Sequence, residues 1–172
     1  MLTNIGIPDS NATLGNGASM ETGVPSESDE ARCGTAMPRD RIDLLADQLR
    51  QCGEPRRLGA LGERFAEAYL TRRGWRVVAR NYRTRWGELD LICVDDYARV
   101  VFVEVKTRTG MGFGGPREAI TQGKRRHLRQ AAGLWMRSEP WPDGCHGVRF
   151  DVVGVLVERD GVDIDHIKGA FL

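Results

Sequence analysis

The chain has only four cysteines, Cys33, Cys52, Cys93 and Cys145, with no CxxC pair and no cysteine–histidine cluster. That pattern encodes neither a zinc site nor a disulfide framework, and it predicts a reducing, cytoplasmic setting. Long hydrophobic runs are missing as well. Purely apolar stretches such as residues 100–103 fall far short of the roughly 18 residues of a membrane span. No basic segment leads into an apolar one near the start, so no cleaved signal and no membrane partner are expected. The glycine-rich stretch GMGFGG has no GK[ST] after it and completes no dinucleotide fingerprint, which argues against a nucleotide cradle. Net charge is small too, at +1.

That small number hides an asymmetry. Residues 1–36 hold Asp9, Glu21, Glu27, Asp29 and Glu30 against Arg32 alone, a balance of −4 that leaves +5 for the remainder. A moderately basic domain is suited to a polyanion without proving one. With 41% hydrophobic and 28% charged residues among 172, one packed domain plus a tail is expected.

Residues 1–37 are rich in Gly, Ser, Thr, Asn and Pro and show no structural period, which predicts a disordered extension. Residues 38–56 read as a short helix, with Ile42, Leu45 and Leu49 at helical spacing, followed by a linker at Gly53 and Pro55. The main domain, residues 57–172, opens with a helix carrying Leu58, Leu61, Phe65 and Ala68 on one face and ending at Gly74. Strands are predicted over residues 75–82, 87–94 and 99–108, a helix over 117–138, and strands over 148–158 and 162–167. On that second helix Ile120, Leu128, Ala131, Leu134 and Trp135 face inward. The order helix, three strands, helix, two strands defines an α/β domain with a mixed sheet.

The second and third strands, GELDLICV and VVFVEVKTR, carry acids where plain strands would not. Alternation puts Leu89, Leu91 and Cys93 on one face with Glu88, Asp90 and Ile92 opposite, and separates Val101, Val103 and Val105 from Phe102, Glu104 and Lys106. A three-residue connection at residues 96–98 matches the apolar faces and sets Asp90 opposite Glu104. Opposed carboxylates are destabilising unless a cation lies between them, and Mg²⁺ or Mn²⁺ could fill that place with Lys106 alongside. The spacing leaves a second reading open, a solvent-exposed sheet face laced by weak ion pairs.

Asp90 followed by Glu104-Val105-Lys106 resembles the D…(D/E)xK signature of the restriction-endonuclease-like nuclease superfamily. The wider set is more specific: LGxxGExxA at residues 58–66, NYRTRWGELDLI at 81–92, VFVEVKTR at 101–108, VRFDVVGV at 148–155 and HIKGAF at 166–171. Together these resemble the YraN family, uncharacterised protein family 0102, itself similar to archaeal Holliday-junction resolvases. The resemblance implies a restriction-endonuclease-like mixed β-sheet flanked by α-helices over residues 57–172. It further implies a metal-dependent endonuclease acting on branched or structured DNA. Its metal would be held by Asp90, Glu104, Glu63 and the carbonyl of Val105, with Lys106 as the catalytic lysine. A resolvase-like role also implies a symmetric homodimer. A non-catalytic nucleic-acid-binding module of the same fold is the alternative.

For the nucleic acid itself, Lys124, Arg125 and Arg129 form a basic rim at the start of the second helix, with Arg83 and Arg85 at the entry to the hairpin. Such a rim holds phosphates rather than reading bases. Trp75, Trp135 and Phe150 read as core, whereas Trp86 and Trp141 fall in loops where they could stack on a base. His127, His146 and His166 are isolated from one another. The spacing assigns no role to Asp151.

Overall fold

A computed structural model of the protein describes residues 40–110 and 120–171. The expected N-terminal extension, the glycine-rich loop and a start of the second main helix at Arg117 lie outside those residues.

Two helices come first, α1 (Arg41–Gln51) and α2 (Pro55–Arg72). Only residues 52–54 separate them, and Pro55 occupies the first turn of α2, where its missing N–H costs no helical bond. Next come β1 (Arg76–Thr84), β2 (Gly87–Val94) and β3 (Val100–Thr109), then α3 (Gln122–Ser138), β4 (Val148–Val157) and β5 (Val162–Ile167). Thr121 caps α3 by accepting from the Lys124 amide. Among the described residues the strands form one sheet in chain order, with β3 and β4 parallel and the other neighbours antiparallel. This is the α/β mixed-sheet class the element order predicted.

Each face of the sheet has its own core. Leu45 and Leu49 of α1 and Leu61, Phe65, Ala66 and Leu70 of α2 pack on Leu91, Cys93, Val101, Val103, Val105, Val153 and Val155. Leu128, Ala131, Ala132 and Trp135 of α3 cover Leu89, Ile92, Val100, Phe102 and Val152 on the other side. Trp135 and Trp75 are buried as expected, and Phe150 stacks between Phe102 and Phe171. Leu134, expected inward, is half-buried, and Ala132 takes an inward position instead.

Burial on both faces makes the middle of β3 a continuous hydrophobic run, residues 100–105, broken only by Glu104. Gly62 lets α2 approach that strand closely. A β-carbon there would lie 1.7 Å from Thr107 Oγ1 and 2.8 Å from its Cβ, so no other residue fits without displacement. The next residue along α2 is Glu63.

The β2–β3 turn has the expected length. Asp95 N donates to Arg99 O, and Ala98 takes the left-handed conformation that closes such a three-residue loop. One expectation fails. Leu89 does not share a face with Leu91 and Cys93; it packs with Ile92 under α3. The same level of β1 is irregular too, since Asn81 adopts φ 48° between the pairs Arg80–Leu91 and Tyr82–Leu89. A left-handed residue within a strand interrupts the alternation and re-aims the side chains beyond it.

Candidate functional site

The β2–β3 ladder runs from Val94–Val100 to Leu91–Val103. Continuing it by one residue sets Asp90 opposite Glu104, the register the sequence predicted. At that point a side chain replaces the main-chain partner: Asp90 Oδ2 accepts the Val105 amide at 2.7 Å. The otherwise orphaned N–H is satisfied, and the carboxylate is fixed between the strands.

Glu104 is 2% exposed, so its place is not a solvated sheet face. Two lysines converge on one of its oxygens, Lys106 Nζ at 2.6 Å and Lys124 Nζ at 3.1 Å from Oε1. Its other oxygen, Oε2, is buried with no hydrogen-bond partner. Buried polar atoms are nearly always satisfied, so this oxygen remains free to accept a further partner.

The remaining acids approach from α2 and the start of β2. With its amide nitrogen turned toward the carboxylates, an orientation assigned from the hydrogen-bond network, Asn81 donates to Glu63 Oε2 at 3.0 Å and Glu88 Oε1 at 2.8 Å. The left-handed residue that re-aims the strand therefore also ties two acids together. Burial, followed by the charge of Glu88, pushes the Glu63 carboxyl above its usual range. Asp90 is pushed to about 7, first by burial and then by the Glu104 charge, against the opposing hydrogen bond from Val105. A group of acids that cannot all ionise comfortably is a recurrent property of functional sites.

Asp90, Glu104, Lys106 and Glu63 thus interact electrostatically as one group, together with Glu88. The basic residues divide. Lys124 belongs to the site, since it touches Glu104. Arg125 and Arg129 instead lie over the Phe171 ring, with guanidinium carbons 5.9 and 5.8 Å from its centroid. Arg83 is largely exposed, with Nε 3.3 Å from Glu88 Oε2, and Arg85 lies over Trp86 at 5.1 Å. Sequence reasoning missed Asn81, for which the only sign was an amide side chain inside a strand, where such residues are disfavoured.

It also found no place for Asp151, which is fully buried. Arg149 grips it at 2.7 and 2.8 Å, and it also accepts from the Gly169 amide at 2.9 Å and pairs with His166 Nε2 at 2.9 Å. Arg149 continues to Asp95 at 2.9 Å, which Arg99 also holds, so this network ties β4 to the β2–β3 turn and the C-terminal segment. It lies on the α1–α2 face, where His166 meets Tyr69 and Trp75 edge-on.

No group of three or more His, Cys, Asp or Glu side chains close enough to hold a metal ion occurs among the described residues. The carboxylates of Asp90 and Glu104 are the paired oxygen donors. Mg²⁺ commonly takes one or two carboxylates and leaves its other positions to waters and phosphate oxygens. Two acids, one with an unpartnered buried oxygen, fit that requirement. The described cysteines, Cys52, Cys93 and Cys145, are unpaired, and burial pushes Cys93 up to about 12. No helix among the described residues is long and apolar enough to cross a membrane.

A mixed-sheet α/β domain with an acid–lysine cluster where two antiparallel strands end their pairing defines the structural class. Residues 62–155 match the family model described as "Uncharacterised protein family UPF0102". A UPF0102 protein of Mycobacterium ulcerans is 48% identical over 114 residues, covering 65% of this chain and 92% of the relative. One from Bifidobacterium longum is 43% identical over 117 residues, 68% of this chain and 94% of its own length. One from Syntrophomonas wolfei is 46% identical over 118 residues, 67% and 98% respectively. The chain belongs to the UPF0102 family.

Proposed function

We propose that the protein is a metal-dependent endonuclease that hydrolyses phosphodiester bonds in nucleic acid, with branched or structured DNA as the preferred substrate. The observation that carries this reading is Glu104: a buried acid with an unpartnered oxygen, flanked by two lysines and opposite Asp90. A buried ion pair is a poor source of stability, because apolar residues of similar volume do as well or better. Chemistry is the better reason to keep one.

Asp90 and Glu104 would hold Mg²⁺ or Mn²⁺, with Glu63, tied to Glu88 through Asn81, adding negative charge beside them rather than a third ligand. The ion, when bound, supplies charge neutralisation at the phosphate and lowers the pKa of a bound water. Lys106, held by Glu104 and a third exposed, would orient the attacking water and stabilise charge building on the phosphoryl oxygens. Lys124, approaching the same acid from α3, adds a second cation for the substrate phosphate. Asn81 keeps Glu63 and Glu88 in position. Arg83 supplies a contact for a neighbouring phosphate at the rim.

The test is cleavage of labelled duplex, single-stranded and four-way-junction DNA, and of RNA, with Mg²⁺ or Mn²⁺, by wild type and Lys106→Ala. Cleavage by wild type alone is the expected result. Binding without cleavage by either protein would replace this reading with a nucleic-acid-binding module.

A further inference from the structure

The tip of the β1–β2 hairpin is built in an unusual way. Thr84 and Gly87 are paired across the ladder, so Arg85 and Trp86 alone form the connection. Two-residue hairpin turns ordinarily rely on Gly, Asn or Asp at those central positions, because the favoured types need positive φ there. Neither Arg85 nor Trp86 has a positive φ. The geometry is supplied by the flanking residues. Thr84 Oγ1 accepts the Trp86 amide at 3.1 Å and donates to the Gly87 carbonyl at 2.9 Å, while Gly87 takes φ 129°. The two tip side chains are thus left without a part in the turn.

They are nevertheless organised. Trp86 is 36% exposed and has Arg85 over its ring. Arg83 and Arg85 also line a depression of about 430 Å³, floored by Tyr82, Thr84, Leu134 and Ser138, in which the Tyr82 and Ser138 hydroxyls lie 3.0 Å apart. At its other side Arg83 reaches Glu88, and through the Asn81 amide the acid cluster begins. An exposed indole, two guanidiniums and a pair of hydroxyls are therefore gathered around one hairpin end, and Arg83 joins them to Glu88.

We infer that this tip and depression form a subsite for one unpaired nucleotide, its base stacked on Trp86 and its phosphate held by Arg83 and Arg85. The inference rests on the nuclease reading for its direction, since it makes the substrate a single-stranded or branched nucleic acid rather than an intact duplex. A stacked pair inside a duplex presents no free base face, whereas a strand end or junction does. Stacking on an aromatic tolerates every base, so the subsite selects for unpairing and not for sequence.

The experiment measures fluorescence anisotropy of labelled single-stranded and blunt duplex DNA with the full chain carrying Lys106→Ala, alone and combined with Trp86→Ala or Trp86→Phe. Trp86→Ala is expected to weaken single-strand binding about tenfold, the usual scale for loss of one stacked base. Duplex binding and the salt slope should stay unchanged, and Trp86→Phe should restore most of the loss. Equal losses on both DNAs, or none on either, would overturn the subsite. Selective loss in a protein whose wild type cuts nothing would keep the subsite and remove the nuclease reading.

Discussion

Lys106 of β3 and Lys124 of α3 hold the same oxygen of Glu104, at 2.6 and 3.1 Å, although they are 18 positions apart and on different elements. One acid thereby links the middle of a central strand to the first turn of α3. The two cations differ in what else they can do. Lys106 shares its strand with Glu104, two residues away, and moves only with the sheet. Lys124 depends on the seating of α3.

Removing each lysine should therefore have different effects. Lys106→Ala is expected to lower the cleavage rate by at least a hundredfold, in line with the loss of a group that acts on the developing charge. Lys124→Ala should lower it roughly tenfold and mainly raise KM, since the proposed mechanism gives it phosphate binding and no part in the chemical step. Steady-state kinetics on a junction substrate separates the two, and equal effects would show that the lysines share one task.

Asp90 predicts a pH effect on stability that is independent of turnover. Its carboxyl is raised to about 7, chiefly by burial and by Glu104, whereas an unfolded chain ionises it near the ordinary 3.8. For a raised group, the stabilising contribution is complete below the unfolded value and disappears as pH climbs through the folded one. Without metal, stability should then fall between about pH 4 and pH 7, and Asp90→Asn should flatten that fall. Thermal unfolding in EDTA across the range is the measurement. A wild-type profile that matches the variant's would mean that Asp90 is not strained by its neighbours.

Much of this site could be read from the sequence because β-alternation and a three-residue loop together fix a register. Asp90 falls opposite Glu104 by parity alone, and the close spacing of Glu104 and Lys106 is set by the period of a strand. Other features depend on contacts that no local pattern encodes. The side of the sheet to which Leu89 turns departs from simple alternation where the paired strand carries the left-handed residue Asn81. Lys124 could be recognised as basic, but its partner across the β3–α3 connection could not. Asp151 reads as a polar interruption of an apolar strand until Arg149, His166 and Gly169, from two strands and the C-terminal segment, are brought around it. The core was easier to read, since helical spacing alone identifies Leu61, Phe65, Leu128 and Trp135.

Gly62 should tolerate no side chain. Alanine there would place a β-carbon 1.7 Å from Thr107 Oγ1 and push α2 away from β3. Overpacking of this kind costs about 1–3 kcal/mol. Because Glu63 is the next residue, cleavage should fall more than the loss of folded protein explains. Urea unfolding alongside activity per folded molecule checks both effects. Wild-type stability in Gly62→Ala would show that the helix can shift freely.

The Asp151 network predicts a second pH effect, opposite in sign to that of Asp90. Burial alone pushes its carboxyl up, but the hydrogen bonds from His166, Arg149 and the Gly169 amide together outweigh it and hold the group below the usual 3.8. A depressed acid contributes stability that is present above its unfolded pKa and is lost as pH falls through the folded one. Acid unfolding should therefore begin below about pH 4 and involve the joint between β4, β5 and the β2–β3 turn. Asp151→Asn leaves Arg149 buried with only Asp95 for a partner, a change expected to cost about 3–5 kcal/mol at neutral pH. Since the network lies on the opposite face from α3 and Lys124, the variant that remains folded should keep its affinity for metal. Urea unfolding at pH 7 and pH 3 tests the first part, because the gap between wild type and variant must narrow once the pH falls below the unfolded value of 3.8. Calorimetric Mn²⁺ titration tests the second, and a variant that is stable yet unable to take up the ion would move Asp151 from the scaffold into the site.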